Sequence, residues 1–186
     1  MHGRWQQQRQ ALLDHFGLVA GLLLVACAIL WAAGEHSRHK AELRAAETSR
    51  LVADFHSAPV ADAWRRLVGA WAAQRPRQAA LLQRIAAHSG APLQDELRHY
   101  RAFVLDTVVE QDLAPDIDTM IQFYRRLAAC LRIGACNASL TAGLFGNAAW
   151  SFRNQHYYYL LEEYDVDEID GVIDTIAPRA PAPGAS

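Results

Sequence analysis

An uninterrupted run of apolar residues near the N-terminus constrains this chain more than any other feature of its sequence. The run, FGLVAGLLLVACAILWAA, extends from Phe16 to Ala33 and contains neither a charged residue nor a proline. As a helix with a rise of 1.5 Å per residue, it would be about 27 Å long, close to the ~30 Å hydrocarbon core of a bilayer. The sequence therefore predicts a transmembrane helix at residues 16–34, after a polar N-terminal segment at residues 1–15.

Two details of the run also favour a membrane. Trp31 lies near its end, where an indole ring suits the membrane interface. Gly17 and Gly21 form a GxxxG pair, which lets a second helix approach closely, so we predict a helix–helix contact in the membrane at these two glycines. The partners that this interpretation predicts are membrane lipid and another membrane protein or complex.

Other interpretations of the run compete with an uncleaved span. A cleaved signal peptide would have a shorter apolar region. It would also have a small residue at the third position before the cleavage site, whereas a cut after Ala33 would place Trp31 there. The sequence LVAC at 24–27 resembles a lipoprotein cleavage box, but the apolar run continues well past Cys27. A helix of a globular core would not need apolar residues on both of its faces. We favour the uncleaved span.

Basic residues on the two sides of the run predict its orientation. Arg4 and Arg9 precede it. Four basic residues follow it closely: Arg38, Lys40, Arg44 and Arg50. Because the cytoplasmic flank of a span carries the excess of Lys and Arg, we expect a single-pass protein of the inner (cytoplasmic) membrane with a cytoplasmic C-terminal domain.

The rest of the chain has helical periodicity and no convincing alternating strand. A charged segment at 35–56 is predicted to be a juxtamembrane helix, and apolar residues recur at helical spacing in a domain at 57–177. The last residues, PRAPAPGAS at 178–186, have nothing to bury and predict a disordered tail. The predicted fold class is all-α: one N-terminal transmembrane helix followed by a small soluble bundle of about six or seven helices.

Prolines, glycines and capping residues predict where these helices begin and end. Pro76 is expected to open a short segment of its own, and residues 88–92 to form a loop. Pro115 suits a first helical turn, and Gly134 suits a helix end. Asp165, followed by further acidic residues, suits the start of the last helix.

Two helices are expected between residues 137 and 164. Asn137 or Ser139 would cap a short helix that reaches Phe145, and an aromatic helix would follow from about Ala148 to Tyr164.

The aromatic helix carries large side chains on two opposite faces. At 100° per residue, one stripe is predicted to face the core, and Phe152 and Tyr159 lie roughly opposite to it. That stripe comprises Trp150, Tyr157, Leu161 and Tyr164. A helix with two apolar faces lies in the middle of a bundle or presents one face to a partner. Phe152 and Tyr159 are therefore the candidate residues for partner contact.

The segment at 123–160, FYRRLAACLRIGACNASLTAGLFGNAAWSFRNQHYYYL, resembles a known family. Over roughly residues 34–161 the chain is similar to the bacterial membrane-anchored helical proteins grouped as domain of unknown function 4760. The matching positions are Phe123, Arg126, Leu127, Ala128, Arg132, Gly134, Leu144, Phe145, Gly146 and Trp150. Asn137 and Ser139 stand where the family has acidic residues. The resemblance implies a cytoplasmic helical domain and supplies no activity.

The three cysteines, Cys27, Cys130 and Cys136, cannot all pair within one chain. No CxxC motif occurs, and no cysteine and histidine set has zinc spacing. Three reduced thiols, the ordinary state in a reducing compartment, are the expected interpretation.

Motifs that would carry chemistry are incomplete. The ExxH at 96–99 matches half of a di-iron motif and has no second copy. His36 and His39 lie one helical turn apart without a third ligand, and the acidic cluster at 165–171 misses three positions of a calcium loop. A net charge of −2 lacks the basic excess of a nucleic-acid binder. We predict no catalytic residue, no cofactor, no metal and no nucleic-acid partner.

These observations favour a membrane-anchored, non-enzymatic interaction protein, an accessory subunit or scaffold of a larger membrane-associated complex. The alternative is a membrane-anchored enzyme or ligand sensor with a site assembled from scattered polar residues, such as His99, Glu110 and His156. An anchored defence or stress effector is a third hypothesis.

Overall fold

A computed structural model describes the backbone of residues 3–178 and the side chains of residues 25–178. It contains six helices: α1 (Gly3–Phe55), α2 (Val60–Ala87), α3 (Ala91–Glu110), α4 (Ala114–Arg132), α5 (Ala138–Glu163) and α6 (Val166–Ile176). The prediction of an all-α fold is confirmed for this part of the chain. Residues 179–186, most of the predicted disordered tail, lie outside the described residues. The chain divides into two compact units, Met1–Leu43 and Arg44–Ser186.

In the part of the chain that the structure describes, no helix is long and apolar enough to cross a membrane. Of the predicted span at 16–34, the side chains of 16–24, including Gly17 and Gly21, lie outside the described residues. The absence of a membrane-spanning helix among the described residues contradicts the predicted transmembrane helix and the single-pass inner-membrane location.

The last three turns of α1 belong to the second unit rather than to a separate juxtamembrane element. Thr48 and Leu51 are buried there. Phe55 packs its ring against Phe123 and Phe145, with centroids 5.3 and 5.5 Å away. The C-terminal end of α1 is therefore one wall of the main core.

Helix α2 continues through Pro76, where the sequence predicted a new segment. A proline inside a helix removes one backbone hydrogen bond and crowds the preceding turn. Here Trp71 before it and Leu81 after it are both buried, in a small cluster with Phe103 and Val104. Packing on both sides of the proline holds the helix together.

Helix α4 supplies the centre of the bundle and packs against α2 and α6. Its buried residues are Asp116, Ile117, Met120, Ile121, Phe123, Tyr124, Leu127, Ala128 and Cys130. They include an apolar stripe at the helical spacing predicted for residues 57–177, which comprises Ile117, Met120, Ile121, Tyr124, Leu127 and Ala128. Helix α5 packs against α3 and α6 and closes the other side.

Prolines, glycines and capping residues in the sequence predicted most helix ends correctly. Pro115 lies in the first turn of α4, and Gly134, with φ +68°, follows its end in the left-handed conformation. The Asn137 side chain accepts a hydrogen bond from the backbone N–H of Leu140, at the start of α5. The predicted break between Phe145 and Ala148 is wrong, because one buried face runs through the whole of α5.

Candidate functional site

The face of α5 that packs into the core differs from the predicted one. Its buried residues are Thr141, Phe145, Gly146, Ala149, Phe152, His156 and Leu160. Phe152 is only 1 % exposed and packs against Tyr124, with ring centroids 5.3 Å apart, whereas Leu161 is 43 % exposed. The predicted orientation is therefore wrong, and Phe152 is a core residue that cannot contact a partner from this position. Two polar residues, Thr141 and His156, share the buried face.

Tyr159, the second residue predicted to contact a partner, is half-buried against the main core. Its ring lies near that of Tyr164, with centroids 6.4 Å apart. Partner contact at Tyr159 stays a prediction, and it no longer has Phe152 beside it.

His156 forms a buried polar pair with Trp71. The indole Nε1 donates a hydrogen bond to His156 Nε2 at 2.8 Å, and His156 Nδ1 lies 2.7 Å from the carbonyl oxygen of Phe152. Because a carbonyl only accepts, Nδ1 carries the proton and Nε2 is the acceptor. Burial lowers the pKa of His156 to about 4, and the hydrogen bond to Phe152 opposes this shift in part. The imidazole is therefore neutral and fixed in one tautomer.

The three residues of the alternative polar site do not meet. His156 is buried in the bundle, whereas His99 and Glu110 lie exposed on α3. Eleven residues of helix, about 16 Å, separate His99 from Glu110. The structure therefore gives no support to an active site built from this set.

Within the part of the chain that the structure describes, no group of three or more His, Cys, Asp or Glu side chains is placed to hold a metal ion. Asp165 instead caps α6, since its side chain accepts hydrogen bonds from the backbone N–H groups of Asp167 and Glu168. Glu96, the acid of the ExxH motif, forms an ion pair with Arg84 at 3.3 Å.

Cys130 and Cys136 form a disulfide, with Cα atoms 5.4 Å apart, so the prediction of three reduced thiols is wrong. The turn at Gly134 reverses the chain and brings the two cysteines together. Cys27 is free and exposed. Because disulfides are typical of oxidising compartments, the cysteines no longer favour a cytoplasmic domain.

The end of α1 holds the disulfide loop in place. Arg44 Nε donates to the carbonyl oxygen of Gly134 at 2.8 Å. The backbone N–H of Asn137 donates to the Thr48 hydroxyl at 3.0 Å, and that hydroxyl donates to the carbonyl of Arg44. These contacts fix the loop against a helix that lies about 90 residues earlier in the chain.

The first unit presents an exposed apolar segment, residues 25–33 of α1. Every side chain in it is exposed. The exposed fraction is 63 % for Ile29, 73 % for Leu30 and 74 % for Trp31. Since successive helical residues are about 100° apart, these three neighbours point to three different sides. The segment is therefore apolar around its whole circumference.

A concave groove lies between α2 and α3 in the second unit. We call it the α2–α3 groove, and its cavity volume is about 770 Å³. Its lining residues are Arg77, Ala80, Leu81, Gln83, Arg84, Ala87, His88, His99, Ala102, Phe103 and Asp106. Leu81 and Phe103 are buried and form an apolar floor, whereas most of the charged residues lie on the exposed rim.

Two guanidinium groups dominate the charge of this groove. Arg77 lies over the ring of Phe103, with its Cζ 5.1 Å from the ring centroid. Arg84 Nε is 3.3 Å from the Glu96 carboxylate, whose same oxygen lies 3.8 Å from His99 Nδ1. His88 Nδ1 donates to the carbonyl of Arg84 at 2.7 Å, at the C-terminal end of α2.

Sequence reasoning missed the α2–α3 groove, although the sequence contains a signal for it. Arg77 and Arg84 are seven residues apart, and His99 and Asp106 repeat that spacing on α3. Side chains seven apart share a helix face. The sequence does not show that these two pairs face each other, because that depends on how α2 packs against α3.

The chain was compared with models of protein families, with curated proteins and with solved structures, and none of them matches. The resemblance to domain of unknown function 4760 therefore stays a prediction. The structure does give several of its matching positions a physical role. Phe123, Leu127, Ala128 and Phe145 are core residues, and a Cβ atom on Gly146 would lie 3.0 Å from Ala177 Cβ.

Proposed function

We propose that this chain is a non-enzymatic interaction protein, a helical subunit or scaffold of a larger assembly. The observation that carries the proposal is the exposed apolar segment at 25–33 of α1. A helix that is apolar on one side packs against one neighbour, whereas a helix that is apolar all round is enclosed on several sides. The segment is therefore built to be surrounded by helices of partner subunits.

The second unit supports this role because the C-terminal end of α1 is part of its folded core. It has its own core, and α1 enters that core with Thr48, Leu51 and Phe55. The C-terminal end of α1 is thus anchored in a folded unit, while residues 25–33 of the same helix are exposed.

Photo-cross-linking in the full chain, expressed at its native level, tests the proposal. A benzophenone amino acid replaces Ile29, Leu30 or Trp31 in three separate variants, so that each probes a different side of α1. The control variant carries the same probe in place of Glu42, an exposed residue of the charged stretch of α1. Cross-linked polypeptides are then identified by mass spectrometry.

We expect all three apolar positions to cross-link to protein, at higher yield than position 42. Cross-links from one position alone would show a single paired helix and would overturn the enclosed arrangement. Yields no higher than at Glu42 from all three positions would overturn the interaction function itself.

A further inference from the structure

We propose that the α2–α3 groove binds a small organic anion, a phosphate or carboxylate group attached to an aromatic ring. The inference rests on the second unit alone and is independent of the function proposed for α1. It combines the size of the groove, its apolar floor and the guanidinium groups at its rim.

The groove has the size and the lining of a small-ligand site. Its cavity volume is about 770 Å³, and such sites range from roughly 300 Å³ to roughly 1000 Å³. Phe103 and Leu81 offer an apolar floor, and three alanines leave room above it. Those alanines are Ala80, Ala87 and Ala102. An aromatic ring of the ligand would lie against these exposed alanines, beside the guanidinium group of Arg77.

The rim supplies donors for an anionic group. Arg77 and Arg84 are exposed, and a guanidinium group donates two parallel hydrogen bonds to a phosphate or a carboxylate. His88 Nδ1 donates to the carbonyl oxygen of Arg84, and the Nε2 atom on the other side of the ring points away from that bond. Asp106 is the opposing charge on the lining, and it lies on α3 one helical turn beyond Phe103.

Glu96 forms an ion pair with Arg84 at the edge of the groove. Its side chain is 15 % exposed, and its Oε2 atom contacts Arg84 as an ion pair without an aligned hydrogen bond. An incoming anion must therefore compete with Glu96 for the same guanidinium group. Removal of the Glu96 charge should tighten binding, whereas removal of the Arg77 charge should weaken it.

Isothermal titration calorimetry of the full chain with 1-naphthyl phosphate, which measures the binding affinity, tests this inference. The wild-type chain should bind one molecule saturably, and Arg77→Gln should weaken binding about tenfold, as the loss of a charged hydrogen bond does. Glu96→Gln should tighten binding several-fold. Asp95→Asn is the matched control: it removes the neighbouring carboxylate, which pairs with Arg98 outside the groove, and should leave affinity unchanged.

Two further ligands separate the contributions of charge and ring. 1-Naphthol, without the charge, and inorganic phosphate, without the ring, should each bind at least about tenfold more weakly than 1-naphthyl phosphate. Circular dichroism and thermal unfolding of each variant show that the fold is intact.

Specific outcomes overturn the proposal. They are the absence of saturable binding at millimolar 1-naphthyl phosphate, unchanged affinity in Arg77→Gln, and equal gains from Glu96→Gln and Asp95→Asn. Inorganic phosphate that binds as tightly as 1-naphthyl phosphate would overturn the part assigned to the apolar lining of the groove.

Discussion

The indole Nε1 of Trp71 donates a 2.8 Å hydrogen bond to Nε2 of His156 inside the bundle, between α2 and α5. The other imidazole nitrogen donates to the carbonyl oxygen of Phe152 at 2.7 Å. Both ring nitrogens are therefore engaged, and a proton added to Nε2 would face the N–H of the indole. This pair joins two helices through a histidine that must stay neutral.

We expect the free energy of unfolding to fall as the pH drops from 6.5 towards 4. Burial lowers the pKa of His156 from 6.5 to about 4, so the unfolded chain binds this proton more tightly than the folded chain does. The stability due to neutral His156 is complete above pH 6.5 and is lost below it, by about 3 kcal/mol near pH 4. Urea unfolding across this window measures the loss.

His156→Gln is the control for the pH dependence. A glutamine amide also accepts from the indole and does not titrate. The variant should lose less stability over this pH window than the wild-type chain, while other titrating groups contribute alike to both. Equal losses in the two proteins would show that His156 does not cause the acid sensitivity.

A double-mutant cycle should detect the bond between Trp71 and His156. Trp71→Phe leaves Nε2 of His156 buried without its donor, which costs about 1–3 kcal/mol beyond the lost packing. His156→Leu leaves the indole N–H unpaired in the same way. The double variant should therefore lose about 1–2 kcal/mol less than the sum of the single variants. Additive losses in urea unfolding would contradict a direct interaction.

Tyr124→Phe should leave the bundle as stable as the wild type, or up to about 1 kcal/mol more stable. The Tyr124 side chain is buried, and its hydroxyl has no hydrogen-bond partner among the described residues. Tyr100→Phe is the matched control, because the Tyr100 hydroxyl accepts from Gln78 at 3.0 Å. That variant should lose about 0.5–1.5 kcal/mol. A larger loss in Tyr124→Phe than in Tyr100→Phe, measured by thermal unfolding, would show that the buried hydroxyl has a partner.

The features that sequence reasoning placed correctly depend on neighbours in the chain. The stripe of α4, the left-handed Gly134 and the cap at Asp165 are set by residues within a few positions. The buried face of α5 is different, because His156 is placed in the core by a donor on Trp71, 85 residues earlier. Pattern alone assigns such a histidine to a polar surface.

The candidate sites were predictable to different degrees. The apolar segment at 25–33 is visible in the sequence, but its place in a membrane span was inferred from length and contradicted by the described helices. The α2–α3 groove depends on the packing of Leu81 on α2 against Phe103 and Val104 on α3, and a pattern within one helix does not predict such a contact.

Loss of the disulfide should destabilise the second unit. By the chain-entropy estimate, closing a loop this short stabilises a fold by about 2 kcal/mol. Cys130→Ala with Cys136→Ala should lower the free energy of unfolding by that amount, and a reductant should have no further effect on this variant. Thiol counting of the unfolded wild-type chain should find one free cysteine, Cys27. Three free thiols after isolation without a reductant would contradict the bond.

Arg153 should stabilise the bundle more than an ordinary surface arginine does. Its Nε and one terminal nitrogen donate to the two carboxylate oxygens of Asp170 at 2.8 and 2.7 Å, joining α5 to α6. Its guanidinium group also lies over the ring of Tyr157, 4.6 Å from the centroid. The two side chains of the ion pair are only 18 % and 30 % exposed. Solvent screens such a half-buried ion pair less than an exposed one. Arg153→Gln should therefore lower the free energy of unfolding by about 1–2 kcal/mol.

Arg98→Gln is the matched control for Arg153→Gln, because Arg98 pairs with Asp95 within one exposed turn of α3. Exposed pairs of this kind contribute about 0.5 kcal/mol or less. Arg153→Lys should lie between the wild type and Arg153→Gln, since an ammonium group keeps the charge and loses the paired geometry. Urea unfolding of the three variants ranks them. Equal losses from Arg153→Gln and Arg98→Gln would show that the link between α5 and α6 contributes no more than a surface ion pair.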